Sequence, residues 1–419
     1  MELQGILVDQ QKDLAESRQK WIRRDAQTEF DRMRKSSLIK VVMGIRRSGK
    51  STLCAQAATD DELAYCNFDD ERLASVTANE LNAVYETLLQ LKPNAKVFFF
   101  DEIQNVDRWE LFVNRLKRKG LDLLITGSNG KLLSQELATH LTGRHLEIEL
   151  LPFSFAEHLR AHDVEPPAEP SLASTEERAA LKRQFQTYFE RGGFPEVVRG
   201  EPPGPYLREL FDKIVSRDIA QRHEVRTPRL LKQLALYLMQ QSGSLTSLKK
   251  LLATFQYRSV NTLRAHIGFL EDAFLLHAVP AYSFKVRERS TSIRKHYACD
   301  TGMMAALSAK PTPDWGLRFE TLVFLQLRRR CREVTYVKGP DHDVDFAVTA
   351  DRELTELVQA CYDLGAPATL DREITSLVRA AKKYPRARLR LVTLHDERVV
   401  EVGGHRVEIV PAWRFCLQQ

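Results

Sequence analysis

The sequence lacks the features of membrane-spanning and secreted proteins. None of its apolar runs approaches the roughly eighteen residues that a membrane-spanning helix requires. The first twenty residues, MELQGILVDQQKDLAESRQK, do not have the charged-then-apolar plan of a signal peptide. We therefore expect a soluble protein of the cytoplasm that has no membrane partner.

Cysteine is also scarce, with six residues in a chain of 419. They lie far apart, at positions 54, 66, 299, 331, 361 and 416. No two of them form the C-x-x-C pair that is typical of structural zinc sites, and their scatter argues against a disulfide framework. A reducing compartment is the natural setting for such a chain.

The excess of positive over negative charge is also small. The formal net charge of +6 permits contact with nucleic acid but does not require it. The length of 419 residues exceeds what one hydrophobic core usually serves, so we expect about two to four domains. Partners must therefore be inferred from particular sites.

The clearest site is the stretch 38–56, LIKVVMGIRRSGKSTLCAQ, which has the pattern of an apolar strand, a loop and a helix. Gly44, Gly49, Lys50 and Ser51 match every fixed position of the phosphate-binding motif G-x-x-x-x-G-K-[ST]. In this motif backbone amides surround a phosphate, the lysine reaches the β- and γ-phosphates, and the hydroxyl binds Mg²⁺. The alternative is an ordinary Gly-Lys turn. The residues predicted to contact ATP are Gly44, Arg46, Arg47, Ser48, Gly49, Lys50, Ser51 and Thr52.

A second signal is NAKVFFFDEIQNV, which predicts a buried strand that ends in Asp101 and Glu102. An apolar run that closes on two carboxylates is typical of a parallel strand whose carboxyl end faces a nucleotide. We predict that Asp101 binds Mg²⁺, directly or through water, together with Ser51. Glu102 is then the general base that polarises the attacking water. The alternative is a strand that ends in a solvated turn with incidental acids.

Two further residues are candidates for catalysis. The predicted strand LDLLITGSN, at 121–129, would bring Ser128 or Asn129 beside Asp101, where either could sense the γ-phosphate. A plain turn is the alternative. Arg144, in the segment LTGRHLEIELLPFSFAEHL, has two roles open: an arginine finger for a neighbouring subunit, or a structural salt bridge.

Several segments together resemble a known family. They are GIRRSGKSTL, FFFDEIQNVDRWE, LLITGSN, LTGRHLEIELLPFSFAEHL and ERGGFPEVV. The set is similar to the prokaryotic AAA-type ATPases of the AAA_14 kind, whose chains usually carry a C-terminal domain of the DUF4143 type. The resemblance runs from about residue 20 to 415. It implies an AAA+ core and a ring-like homo-oligomer such as a hexamer, and it leaves open what the ATPase acts on.

The remaining sequence predicts an α/β fold with further domains. The predicted segments are an N-terminal helical segment at 1–36, the P-loop AAA+ core at 37–160, a linker at 161–178, a helical lid or connector at 179–227, a winged helix-turn-helix at 228–289, and a DUF4143-type, restriction-endonuclease-like α/β domain at 290–419. The basic residues of the first segment, among them Arg23 and Arg24, are interpreted as a solvent-facing helix side rather than a nucleic-acid contact.

The winged-helix prediction depends on three amphipathic stretches between residues 228 and 276 and on the alternating run HAVPAYSF that follows them. Its third helix would direct polar side chains outward, with basic residues nearby for phosphates. The candidates for DNA contact are Lys249, Lys250, Arg258, Asn261 and Arg264, with Ser259, Thr262 and His266 on the same outward face. Since many winged helices bind protein, a protein partner stays open as the alternative.

The last segment carries Glu320 and Asp345, which fit the helix carboxylate and strand carboxylate of a nuclease-like metal site. Where the next strand should supply E-x-K, the sequence has Gln359-Ala360-Cys361. An amide and a thiol are poor ligands for a hard cation, so we expect no nuclease activity unless Glu356 substitutes. This segment is then interpreted as a binding module.

Three functions compete at this point. The leading hypothesis is a Mg²⁺-dependent AAA+ ATPase that couples ATP hydrolysis to DNA binding or remodelling, such as movement on branched or junction DNA. The second is a nucleotide-dependent switch whose C-terminal domains bind a protein partner. The third is a metal nuclease gated by ATP, which the Gln359 and Cys361 departure disfavours.

Overall fold

A computed structural model of the chain describes residues 3–19, 21–130, 145–169, 172–283, 293–310, 312, 314–339, 343–351 and 353–418. The chain divides into two compact units. The first comprises Met1–Pro152 and Asp272–Phe274, and the second comprises Phe153–Glu271 and Leu275–Gln419. The finer division into six segments stays a prediction.

The first unit is built on a five-stranded sheet in which every neighbouring pair is parallel. Its order is β2-β3-β4-β1-β5. The strands are β1 Ile39–Met43, β2 Leu63–Asn67, β3 Val97–Asp101, β4 Asp122–Gly127 and β5 His145–Glu149. Parallel sheets are covered on both faces, which explains why these strands read as nearly continuous apolar runs. The predicted α/β core with a parallel sheet is confirmed.

Helices cover both faces of this sheet. They are α1 Leu3–Gln19, α2 Gln27–Arg34, α3 Lys50–Cys54, α4 Leu81–Leu91 and α5 Trp109–Arg118, with short 3₁₀ segments at Ala55–Ala57, Glu71–Leu73 and Ile103–Asn105. Because successive strand residues point to opposite faces, Phe98 and Phe100 pack with Trp109 in one core, whereas Phe99 packs with Phe30 in another. The helical segment predicted ahead of the first strand contains α1 and α2.

The second unit begins with helices. They are α6 Phe155–Ala161, α7 Thr175–Arg191, α8 Pro195–Val198, α9 Pro203–Lys213, a π-helical segment Ile214–Gln221, α10 Pro228–Gln240, α11 Leu248–Thr254 and α12 Val260–Asp272. The strands β6 Leu276–Val279 and β7 Lys295–Ala298 follow as an antiparallel pair. The three predicted helices are present, but the hairpin predicted within HAVPAYSF is wrong, because β6 pairs with β7 beyond the predicted segment 228–289. The winged-helix interpretation stays a prediction.

The predicted linker at 161–178 is wrong at its C-terminal end, because α7 begins at Thr175. The hydroxyl of Ser174 accepts a hydrogen bond from the Glu177 amide, and the Glu177 carboxylate accepts one from the Ser174 amide. This reciprocal capping box satisfies two amides that a helix start leaves without intrahelical partners. The pattern Ser174-Thr175-Glu176-Glu177 was therefore a helix start inside a polar stretch.

A six-stranded mixed sheet completes the second unit, in the order β12-β13-β11-β10-β9-β8. The strands are β8 Val334–Val337, β9 Val344–Ala350, β10 Glu353–Cys361, β11 Arg388–Thr393, β12 Arg398–Val402 and β13 His405–Pro411, and the helices are α13 Thr301–Leu307, α14 Trp315–Arg330, α15 Pro367–Lys383 and α16 Ala412–Phe415. The strands β12 and β13 form an antiparallel hairpin about Gly403-Gly404, and both glycines have positive φ.

Two expectations of composition can be compared with the described structure. Within the described ranges no helix is both long and apolar enough to cross a membrane. All six cysteines lie in described parts of the chain and are free thiols, and five of them are buried. The expectation that they form no disulfide framework is confirmed.

Candidate functional site

The glycine-bounded loop joins β1 to α3 at the carboxyl edge of the parallel sheet. Gly44 and Gly49 have φ angles of 152° and 91°, which favour glycine. A Cβ atom at Gly44 would lie 2.2 Å from the Leu150 carbonyl oxygen, so a larger residue would push the loop off β5. Arg47 also has positive φ, at 68°. The backbone is thereby turned tightly ahead of α3, as a phosphate-binding loop requires.

Lys50, the first residue of α3, is buried inside this loop. Its ammonium donates to the carbonyl oxygens of Gly44 and Ile45, at 3.1 and 3.2 Å. The same Nζ atom lies 3.3 Å from Oε1 of Glu102. The fold therefore brings the lysine of the loop into direct contact with the second carboxylate of the DE pair.

Asp101 is the last residue of β3, and its carboxylate is buried among hydroxyl groups. Tyr65 donates to Oδ2 at 3.0 Å, Thr126 donates to Oδ1, and the Ser51 side chain hydrogen-bonds to the same carboxylate. Burial and the neighbouring Glu102 charge raise the pKa of Asp101, although these hydrogen bonds oppose the rise. Ser51 and Asp101, predicted to share a cation, are in contact.

Glu102 follows Asp101 in a left-handed conformation, with φ 50° and ψ 39°. Its Oε2 atom accepts hydrogen bonds from the Ser128 amide at 3.0 Å, the Ser128 hydroxyl at 2.9 Å and the Gln104 amide group at 2.5 Å. Burial alone would raise the pKa of Glu102, but Lys50 and these donors lower it to about 2. The carboxylate is therefore ionised at neutral pH, in an orientation fixed by four contacts.

The position of Ser128 follows from the strand order. β4 lies between β3 and β1 in the sheet, so its carboxyl end projects between the DE pair and the loop. Thr126 bonds to Asp101 and also accepts a hydrogen bond from the Glu102 amide at 3.1 Å. Ser128, predicted to stand beside Asp101, contacts Glu102 instead, and Asn129 next to it is buried.

Arg24 was missed as a member of the site. The interpretation of this residue as part of a solvent-facing helix side is wrong, because its guanidinium is buried. It donates to the carbonyl oxygens of Ser48 and Leu151, each at 2.7 Å. These bonds tie the phosphate-binding loop to the segment after β5. No local pattern separates Arg24 from Arg23, which is exposed.

The other residues predicted to contact ATP differ in their exposure. Arg46 forms an ion pair with Asp69 at 2.5 Å, and Arg47 is exposed. Ser48 is buried, and Thr52 is partly buried on α3. Arg144 lies outside the described residues, so its predicted role stays a prediction.

The predicted DNA-contacting residues lie on and between α11 and α12. All five side chains are exposed: Lys249, Lys250, Arg258, Asn261 and Arg264. His266, predicted on the same outward face, is a correction, because it is buried and its Nδ1 atom lies 2.7 Å from the Tyr257 hydroxyl. It shares the buried side of α12 with Leu263 and Leu270, at helical spacings of three and four residues.

Comparison with known proteins agrees with this geometry. A family model, AAA_14, described as an AAA domain, matches residues 36–159, which include every residue of the site except Arg24. The uncharacterized protein MJ1544 of Methanocaldococcus jannaschii is 35% identical, over 90% of this chain and 88% of that protein. The chain belongs to the AAA_14 family. An uncharacterized protein of Haemophilus influenzae is 31% identical to this AAA_14 protein, over 74% of the chain and 79% of the relative.

A second family model matches the AAA_14 protein at residues 182–314, and it is a domain of unknown function, DUF8612. The predicted DUF4143 character of 290–419 stays a prediction. Among solved structures, the Walker-type ATPase paby2304 of Pyrococcus abyssi has a TM-score of 0.45 at 15% identity, covering 69% of this chain and 97% of that one. DnaA of Aquifex aeolicus, bound to AMPPCP, has a TM-score of 0.26 at 13% identity, covering 59% and 86%. At such values these likenesses carry no argument about activity or partners.

Proposed function

We propose that this AAA_14 protein is a Mg²⁺-dependent ATP hydrolase that couples its ATPase cycle to the binding or remodelling of DNA. The observation that carries the hydrolase part is the contact between Lys50 and Glu102, with the Ser51 hydroxyl on Asp101 beside it. A phosphate-binding lysine, a cation-binding pair and an ionised base then meet at one edge of the sheet, which is the set that phosphoryl transfer to water needs.

The residues present fit a magnesium ion. Mg²⁺ prefers hard oxygen ligands, and the Ser51 hydroxyl and Asp101 carboxylate supply them side by side. Burial raises the pKa of Asp101, so a cation bound there would stabilise its charged form. Ser51 would hold the ion directly, and Asp101 directly or through water. When bound, Mg²⁺ neutralises charge on the β- and γ-phosphate oxygens.

The protein groups divide the remaining work. The loop amides between Gly44 and Lys50 bind phosphate oxygens, and the Lys50 ammonium adds a positive charge to them. Glu102, which is ionised at neutral pH, polarises the attacking water as general base. Ser128 and Gln104 hold Glu102 in its orientation. Arg144 of a neighbouring subunit completes the site in the ring-like oligomer that we propose, in the cytoplasm.

The DNA part of the proposal is supported by the surface of α11 and α12. Four exposed basic residues and one amide are gathered within residues 249–264. Lysine and arginine in such a position bind the phosphate backbone, and an asparagine on a helix can contact a base edge. Because this surface belongs to the same chain as the ATPase site, DNA binding can be coupled to ATP hydrolysis.

One experiment tests both parts. ATP hydrolysis would be measured with single-stranded, duplex and four-way-junction DNA and without DNA, over a salt series because phosphate contacts weaken steeply with salt. Lys50→Ala is the blank, and Lys96→Ala, at an exposed lysine of the same unit, is its matched control. We expect stimulation by one DNA form at low salt. Hydrolysis that is indifferent to every DNA form would instead favour a nucleotide switch with a protein partner.

A further inference from the structure

A second cluster of ionisable side chains lies in the second unit and takes no part in the proposed ATPase chemistry. The Lys295 ammonium, on β7, lies 3.1 Å from Oε1 of Glu320 on α14 and 3.1 Å from Oδ1 of Asp345 on β9. The lysine is only 6% exposed and Asp345 only 9%. One buried cation therefore bridges two carboxylates that three separate elements bring together.

Protein groups also donate to these carboxylates, at the Glu320 oxygen that already contacts Lys295 and at the second oxygen of Asp345. The Tyr297 hydroxyl donates to Oε1 of Glu320 at 2.6 Å. The amide of Ala360 donates to Oδ2 of Asp345 at 3.1 Å, and the Asp345 amide donates to the Gln359 side chain at 3.2 Å. In a nuclease-like metal site the position of Gln359 would hold a second strand carboxylate. Here the Gln359 side-chain oxygen accepts the hydrogen bond from the Asp345 amide.

The substitution by Glu356 that the sequence left open is wrong. Glu356 is buried, and its carboxylate lies 2.7 Å from Arg390 and 3.5 Å from Arg330. On β10 Glu356 and Gln359 lie three positions apart, so their side chains point to opposite faces of the sheet. Glu356 therefore neutralises two arginines and does not join Glu320 and Asp345.

We propose that the Lys295 ammonium takes the place of a divalent cation between Glu320 and Asp345, so that the second unit carries a cation site closed by its own side chain. Two adjacent carboxylates, one buried and one largely so, need a positive charge close to them. A hard divalent ion or a compact ammonium meets that need, and the ammonium is covalently attached and cannot be diluted away. This site of the native protein therefore takes up no Mg²⁺ or Mn²⁺ and activates no metal-bound water.

The test is to remove the ammonium while keeping its hydrocarbon stem. Lys295→Met leaves two adjacent carboxylates that either repel each other or bind a cation. Thermal unfolding of the full-length protein would be followed with MnCl₂ from zero to millimolar, alongside titration calorimetry with Mn²⁺. We expect Mn²⁺ to raise the Tm of Lys295→Met by at least a few degrees more than it raises the Tm of the native protein.

Two matched variants identify the site. Lys295→Met combined with Asp345→Asn loses one ligand and should lose the Mn²⁺ response, whereas Lys295→Arg keeps a cation in place and should not gain it. Because both native and variant proteins contain Ser51 and Asp101, any Mn²⁺ bound there is common to all of them and cancels in the comparison. These readouts do not depend on ATP hydrolysis, so they stand or fall separately from the proposed function.

Three outcomes overturn the proposal. One is Lys295→Met that folds and shows no Mn²⁺ response, which would make the cluster a plain ion triad. Another is a native protein whose Mn²⁺ binding falls in Asp345→Asn, because the site would then be open. The third is that Lys295→Met fails to fold both with and without Mn²⁺, whereas the double variant Lys295→Met with Asp345→Asn folds. Recovery of folding only when Mn²⁺ is present would support it.

Discussion

The Lys50 ammonium lies 3.3 Å from the Glu102 carboxylate, and both groups are held by further contacts within the first unit. Lys50 and Glu102 therefore belong to one network of contacts, which runs from the phosphate-binding loop through Glu102 to Ser128. In the proposed mechanism Lys50 binds the nucleotide and Glu102 serves hydrolysis, so a change at Glu102 should separate the two.

Glu102→Gln should bind ATP and fail to hydrolyse it. The amide keeps the size of the side chain but cannot accept the proton of water, and loss of a general base usually costs about 10²- to 10⁴-fold in kcat. Phosphate release and equilibrium binding of a fluorescent ATP analogue would be measured together. Lys50→Ala is expected to lose both, and turnover of Glu102→Gln at the native rate would contradict the assignment of the base.

Ser128→Ala tests positioning of the base. The substitution removes the hydroxyl that donates to Glu102 at 2.9 Å but keeps the hydrogen bond from the Ser128 backbone amide to Glu102 at 3.0 Å. A hydrogen bond to a charged group is worth about 1.5–3 kcal/mol, so we expect kcat to fall by about 10-fold or more, with little change in KM. Steady-state kinetics separate the two parameters. Ser75→Ala, at an exposed serine of the same unit, is the control, and a raised KM alone would count against this role.

Arg24→Ala should destabilise the first unit and weaken ATP binding. It leaves the buried carbonyl groups of Ser48 and Leu151 without the donor that now lies 2.7 Å from each. An unpaired buried polar group costs about 1–3 kcal/mol, so we expect a loss of about 2–5 kcal/mol in the free energy of unfolding. Urea unfolding with and without ATP measures it. Arg23→Ala, at the exposed neighbouring arginine, should be close to native; equal stability of the two variants would contradict this account.

The parts of the site that the sequence could predict are local. Gly44 to Ser51 is one contiguous motif, and Asp101-Glu102 closes one apolar strand, so neither requires knowledge of distant contacts. The contact of Ser128 with Glu102 requires β4 to lie beside β3, which is a property of the sheet order. The donation of Tyr65 to Asp101 requires the pairing of β2 with β3.

Other errors have equally definite causes. Arg24 and Arg23 are adjacent arginines, and only the packed loop distinguishes the buried one from the exposed one. The prediction for the last segment looked for a lysine on the same strand as Gln359, whereas Lys295 reaches Asp345 from β7, fifty residues earlier in the chain. Convergence of three elements on one cation leaves no local pattern.

The double variant Lys249→Ala/Lys250→Ala should weaken binding to DNA of any base sequence. Both side chains are exposed on α11, where they suit contacts to phosphates. Each lost phosphate contact lowers the slope of log affinity against log salt by about one, so the double variant should lose about two. Fluorescence anisotropy over a salt series measures this slope. Arg386→Ala, at a highly exposed arginine in the same unit, should keep it; if both variants behaved alike, the α11 surface would not be the contact.

The stability of the second unit should fall with acid partly through His158. This ring is buried beside Phe155, with its Nε2 atom 3.1 Å from the Gln184 oxygen. Burial lowers the pKa of His158 from 6.5 to about 4, although the Gln184 contact opposes this change. The folded state therefore binds fewer protons than the unfolded state, so stability is complete above pH 6.5 and declines as the pH falls toward 4.

The expected loss between pH 7 and pH 4.5 from this one group is about 2 kcal/mol. His158→Phe keeps an aromatic ring but cannot take up a proton, so its urea midpoint should fall by less than that of the native protein over the same pH interval. His395→Phe, at an exposed histidine of the same unit, should keep the native pH dependence. Equal acid sensitivity of His158→Phe and the native protein would mean that the decline arises from other groups, because a neutral side chain at this position cannot contribute to it.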